Sequence, residues 1–129
     1  MTPASLVVIE RAVRAGWAPD TCDVADLPDW SPENPARGQC GVTALVLQDL
    51  LGGELLLADV THADGSRQGV HYFNRLAGGI VVDLTREQFT DGEVVHDDTA
   101  RVWPRPPSLE DGRSVAQYRT LSARVRAAL

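Results

Sequence analysis

The stretch "GQCGVTALVLQDLLGG", residues 38–53, decides the fold. A polar loop ending in Gly38 and Gln39 passes at Cys40 into a run that is apolar almost all round as far as Leu51. Only Thr43, Gln48 and Asp49 interrupt it, and Gly52-Gly53 ends it. A helix that is apolar on nearly every face cannot lie along an edge, so this one belongs in the centre of a domain with other elements packed around it. The same reading puts Cys40 in the first helical turn. There, unpaired backbone N–H groups and the positive end of the helix dipole favour a thiolate and can receive an oxyanion formed at a carbonyl.

Working outward, Leu6, Val7, Ile9, Ala12 and Val13 recur at helical spacing between Ser5 and Ala15, and Gly16 stops the run. Residues 17–39 hold several prolines and many Asp/Asn residues with no sustained period, which predicts a long ordered loop of the kind used as a lid or binding element. Downstream, "ELLLADV" (54–60) reads as a strand, followed by the Asp64-Gly65 turn. "VHYFNRL" (70–76) and "IVVDL" (80–84) read as a hairpin joined through "AGG". A short helical turn from Thr85, a turn at Asp91-Gly92, a further short strand and a proline-extended "RVWPRPP" follow. The chain closes with an amphipathic helix from Ser114 to Leu129, its stripe formed by Val115, Tyr118, Leu121, Val125 and Leu129. The expectation is one α+β domain over residues 1–129, with the buried helix in the N-terminal half packed on an antiparallel sheet.

With 129 residues, 43% of them hydrophobic, the chain can build one core. A formal net charge of −6 leaves no basic footprint for nucleic acid or an anionic membrane, and all 12 cationic side chains are arginines. No stretch approaches the roughly 20 apolar residues that span a bilayer, and the first residues carry early charges without a signal-peptide pattern. A cytoplasmic protein with two free thiols, Cys22 and Cys40, is the expectation.

A thiol nucleophile needs a base, and the base needs an orienting group. His71 opens one strand of the hairpin and Asp83 closes the other. A three-residue loop, Leu76 to Gly78 or Ala77 to Gly79, makes residues 71 and 83 opposed or diagonal neighbours on one face; a two-residue loop sends Asp83 to the other face. The paired glycines suit the three-residue form, because one can take a left-handed position.

The order of Cys40 on a helix, His71 on a strand and Asp83 on its neighbour resembles that of papain-like and transglutaminase-like thiol enzymes. "GQC" followed by Gly41-Val42 is similar to the Gly-Gln-Cys-Trp-Val motif of the latter, with Gly41 in place of the tryptophan, so an aromatic wall is missing or comes from Trp30. A broader resemblance runs over nearly the whole chain. "WSPENPARGQCGVTALVLQDLLGGELL", "GVHYFNRL" and "VDLTREQF" are similar to the YunG-like family of small bacterial proteins. Together these resemblances imply a small papain-like or transglutaminase-like core and strengthen the grouping of Cys40, His71 and Asp83.

The function expected is a cysteine-dependent hydrolase or acyltransferase acting on an amide or related acyl bond of a small or peptide-like substrate, without a cofactor. Gln39 is the side-chain candidate for oxyanion support. Trp30 and Asn34 flank the loop before the nucleophile as candidate substrate contacts, and Arg37 is a candidate for a substrate carboxylate. Cys22, Cys40, His71 and Asp83 have acceptable ligand types for zinc, but no compact CxxC or HExxH spacing, so no metal site is expected. The competing class is a non-catalytic binding or interaction module that uses the loop around Trp30 and the acidic surface as contact elements.

Overall fold

The computed structural model describes residues 5–105 and 114–129. Helix α1 spans Leu6–Gly16, its first turn capped by the Ser5 hydroxyl, which accepts from the Val8 N–H at 3.3 Å. Helix α2 spans Cys40–Leu51 and ends at Gly52, whose φ of 72° reverses the chain in a conformation that favours glycine. Helix α3 spans Val115–Ala128. The four strands are β1 Glu54–Thr61, β2 Arg67–Arg75, β3 Val81–Val82 and β4 Val94–Trp103, paired antiparallel in the order β3-β2-β1-β4. The architecture is α+β.

Helix α2 is the central element expected from its composition. Val42, Val46 and Leu47 are buried in one apolar cluster with Ile9 and Val13 of α1, Leu121 and Val125 of α3, and Val82 of β3. Trp17 locks α1 to α2 by donating its indole N–H to the Thr43 hydroxyl at 3.0 Å, and Asn74 of β2 donates to the Ala44 carbonyl on α2, also at 3.0 Å. A second, smaller cluster gathers Leu56, Ala58 and Phe73 of the sheet, with Val95 against it.

Residues 17–39 form an ordered loop that holds two short 3-10 helices, Pro19–Thr21 and Val24–Asp29. The hairpin has a three-residue loop. Asn74 pairs with Val82, Arg75 with Val81, and the Leu76 N–H donates to the Ile80 carbonyl at 2.7 Å, which leaves Ala77, Gly78 and Gly79 as the turn. Gly78 and Gly79 both take the positive φ that such a turn demands, 88° and 87°.

Two elements depart from expectation. β3 is only two residues long instead of the five of "IVVDL", because the chain leaves the sheet at Asp83 to form the next turn. β4 is ten residues long and takes in "RVW", where a short strand and a separate extended segment are expected. It is the outer strand beside β1, largely exposed, so no alternation of apolar and polar residues marks it. The prolines of "RPP" at 106 and 107 lie outside the described residues.

Candidate active site

The loop before α2 delivers Cys40 to the helix start under tight constraint. Gly38 has φ 72°, and a Cβ there would lie 2.5 Å from the Cys22 sulfur and 2.8 Å from the Asp26 Cβ. The Gly38 N–H is held by the Gln88 side-chain oxygen at 3.2 Å, and its carbonyl accepts from the Asp23 N–H at 2.9 Å. Beyond it, Gln39 is fully buried. Its side-chain oxygen accepts from the Thr21 hydroxyl at 2.7 Å, and its amide donates to the Ala18 carbonyl at 3.2 Å. These two bonds turn Gln39 inward and tie the 17–39 loop to the start of α2. Gln39, expected as oxyanion support, thus has both polar ends of its side chain engaged inside the protein, and a helix start leaves the backbone N–H groups of its first turn without helical partners.

His71 lies on β2, where β3 pairs only with Asn74 and Arg75 and so leaves the strand edge beside His71 uncovered by a strand. Its ring is fully buried. Phe73, on the same strand face, stacks on it with centroids 5.5 Å apart, and Phe89 meets it edge-on at 4.9 Å. The Asp83 carboxylate oxygens approach His71 Nε2 at 2.9 and 2.8 Å. A carboxylate only accepts, so this contact places the proton on Nε2 and leaves Nδ1 as the acceptor of the neutral ring.

Nδ1 is buried and has no hydrogen-bond partner of ordinary geometry, an expensive arrangement unless another group addresses it. Besides Asp83, the group that acts on this ring is the Cys40 thiol. Burial disfavours the charged imidazole, but hydrogen bonding and charge from Asp83 and Cys40 outweigh it and lift the His71 pKa from 6.5 to about 9. Asp83 is opposed by its own burial in the same way, and contacts with His71 and Arg86 hold it below the usual carboxylate range. The arrangement favours a charged imidazole near a sulfur carried in the first turn of α2.

Sequence reasoning missed the groups that hold this site in place. Arg86 donates Nε to Asp83 at 2.7 Å and forks onto Asp97 at 2.7 and 3.1 Å, bridging the 3-10 turn Arg86–Gln88 to β4. Its spacing of three from Asp83 was the available signal. Gln88 is buried and joins Gly38 to Thr85, while its carbonyl accepts from Asn34 and Arg37. Nothing in "TREQF" marks that role.

Cys40 opens onto a cavity of about 560 Å³, within the range of about 300–1,000 Å³ typical of small-molecule sites. Trp30, Asn34 and Arg37, the expected substrate contacts, do not line it; Asn34 and Arg37 line a separate cavity with Asp29, His62 and Glu93. The Trp30 indole donates to the Pro35 carbonyl at 3.1 Å, and Asn34 donates to the Gln88 carbonyl at 3.0 Å. Arg37 is buried and paired with Glu93 at 2.7 Å, so its charge is already answered inside the protein. The aromatic wall beside Cys40 comes from Tyr72 and Phe89 instead of Trp30.

Cys22 is buried, and its thiol is pushed up to about 12, chiefly by burial and then by Asp26 and Asp23. It is an inert core thiol at neutral pH. Among the described residues no group of three His, Cys, Asp or Glu side chains is placed to hold a metal, and no helix is long and apolar enough to cross a membrane.

A helix-borne thiol and a strand-borne imidazole, oriented by a carboxylate just beyond the neighbouring strand, define an α+β protein built around a thiol, imidazole and carboxylate group. The chain belongs to the YunG protein family, whose pattern matches residues 5–129. It is similar to the protein named Uncharacterized protein YunG of Bacillus subtilis (strain 168), with 43% identity over 60 residues, 46% of this chain and 46% of that protein. The chain therefore aligns with about half the length of this curated relative. No solved structure matches it.

Proposed function

We propose that the protein is a cysteine-dependent hydrolase or acyltransferase acting on an amide or related acyl bond, with a core of papain-like or transglutaminase-like organisation. The observation that carries this reading is the two-oxygen contact of Asp83 with His71 Nε2, which leaves the other ring nitrogen as a buried acceptor, with the Cys40 thiol among the groups that act on the ring.

In this reading His71 Nδ1 takes the Cys40 proton and the thiolate attacks the substrate carbonyl, forming a carbon–sulfur bond. The oxygen turns negative and is received by backbone N–H groups at the start of α2. The carbonyl re-forms as the leaving amine or alkoxide departs with the proton held by His71. Water or an amine then attacks the thioester, giving the acid or the transferred acyl group and returning the proton to Cys40. Asp83 stabilises the imidazolium throughout and stays ionised.

Mass spectrometry after incubation with p-nitrophenyl acetate tests this reading. Expected is a stoichiometric nitrophenol burst with an acetyl adduct on Cys40, both lost in His71→Ala. A protein that stays unmodified, or is modified equally with and without His71, overturns it in favour of a non-catalytic binding module.

A further inference from the structure

The cavity beside Cys40 is asymmetric in its chemistry. Away from the thiol its walls are mainly apolar: Leu45 of α2, Leu55 of β1, Val70 and Tyr72 of β2, Trp103 of β4 and Val115 of α3, with Gln68, Ser114 and the Tyr118 hydroxyl as uncharged polar neighbours. Leu45 is five residues after Cys40, about 7 Å further along the helix at 1.5 Å per residue, so the apolar space runs away from the nucleophile along α2. Near the helix start the wall carries Asp23 and Asp26. Asp23 accepts from the Ala25 N–H at 3.1 Å, and Asp26 lies 3.6 Å from Arg37, whose closer partner is Glu93 at 2.7 Å. No arginine or histidine is among the described residues that line the space.

We propose that this cavity takes the uncharged, apolar acyl portion of the substrate, with the scissile carbonyl at Cys40 and the acyl chain running along α2 toward Leu45 and Val115. The proposal deepens the thiol-enzyme reading and rests on it. A flexible hydrocarbon gains affinity from every methylene removed from water, about fourfold each when burial is complete. An acyl group ending in a carboxylate gains no cationic partner among the described residues lining this space and gives up the water that solvates its charge. Gly41 keeps the way past Cys40 open. A side chain there would extend from a Cβ 3.8 Å from the Tyr72 ring, into space the acyl chain would use.

The test is the rate of Cys40 alkylation by iodoacetamide, N-hexyl iodoacetamide and 6-iodoacetamidohexanoate. Each rate is divided by that of the same probe with glutathione, and the modified residue is mapped by mass spectrometry. Expected is at least about a tenfold advantage of the hexyl probe over iodoacetamide, with the carboxylate-ended probe losing most of it. Leu45→Trp and Val115→Trp each fill one wall, and both should cut the hexyl advantage to below about threefold. Equal normalised rates for the three probes overturn the proposal, as does a hexyl advantage that neither substitution reduces. Because the ratios do not depend on how reactive the thiol is, they fail separately from the catalytic reading. A long-chain preference without a His71 requirement sinks catalysis alone, and an activated thiol without the preference sinks the acyl site alone.

Discussion

Asp83 turns both of its oxygens to a single nitrogen of His71, at 2.9 and 2.8 Å, and shares one of them with Arg86 Nε at 2.7 Å. The imidazole is thus fixed in tautomer and orientation by a carboxylate that is itself braced from the other side. Asp83→Asn keeps the shape and removes the charge. The His71 pKa, followed by ring-proton NMR, should drop from about 9 to 6.5 or below. Chemical denaturation should show a loss of about 1.5–3 kcal/mol, the usual range for a hydrogen bond to a charged group.

Stability should depend on pH in a window set by the same pair. His71 is raised from 6.5 to about 9 on folding, so its contribution is complete below pH 6.5 and disappears as the pH climbs through 9. Asp83 is lowered from 3.8, so its contribution is complete above pH 3.8 and fades as the pH falls through the folded value. The pair therefore stabilises most between these limits. Urea unfolding from pH 6.5 to 9.5 should reveal a decline on the order of 3 kcal/mol. In His71→Phe that decline should be absent.

Arg86 is a positioning residue that acts through Asp83. Its cation competes with His71 for the carboxylate, so Arg86→Gln should raise the His71 pKa further while weakening the tie from the Arg86–Gln88 turn to Asp97 on β4. A purely structural brace would lower stability and leave the His71 titration unmoved, and the NMR titration separates the two.

Gly38 and Gln39 set where α2 begins. Gly38→Ala forces an unfavourable φ and a 2.5 Å approach to the Cys22 sulfur, and should cost about 2 kcal/mol or more. Gln39→Ala removes the two bonds to the Thr21 hydroxyl and the Ala18 carbonyl, groups that still bond each other, and should cost about 1–3 kcal/mol. For Gln39→Ala the acyl adduct on Cys40 should still form once the variant is folded. Its disappearance at temperatures where circular dichroism shows native signal would return Gln39 to the oxyanion role.

What could be read in advance were the features written in local chemistry. The all-round apolar run of α2, the stops at Gly16 and Gly52, and the paired glycines that set the 77–79 turn carried the helices, the hairpin register and the meeting of His71 with Asp83. What stayed hidden depends on distant partners. The inward turn of Gln39 needs Thr21 and Ala18 beneath it, and the burial of Arg37 needs Glu93, 56 residues away. Neither appears in any local pattern. The full length of β4 escaped because an exposed outer strand with Asp97 and Asp98 in its middle has no continuous apolar face to display.

The central claim, that His71 activates Cys40, is most directly measured by iodoacetamide labelling of Cys40 at pH 6, in the native protein and in His71→Ala. Buried Cys22 serves as the silent internal thiol. Expected is labelling at least about tenfold faster in the native protein, because an imidazole next to the sulfur takes its proton as the thiol attacks. Equal rates in the two folded proteins would contradict it.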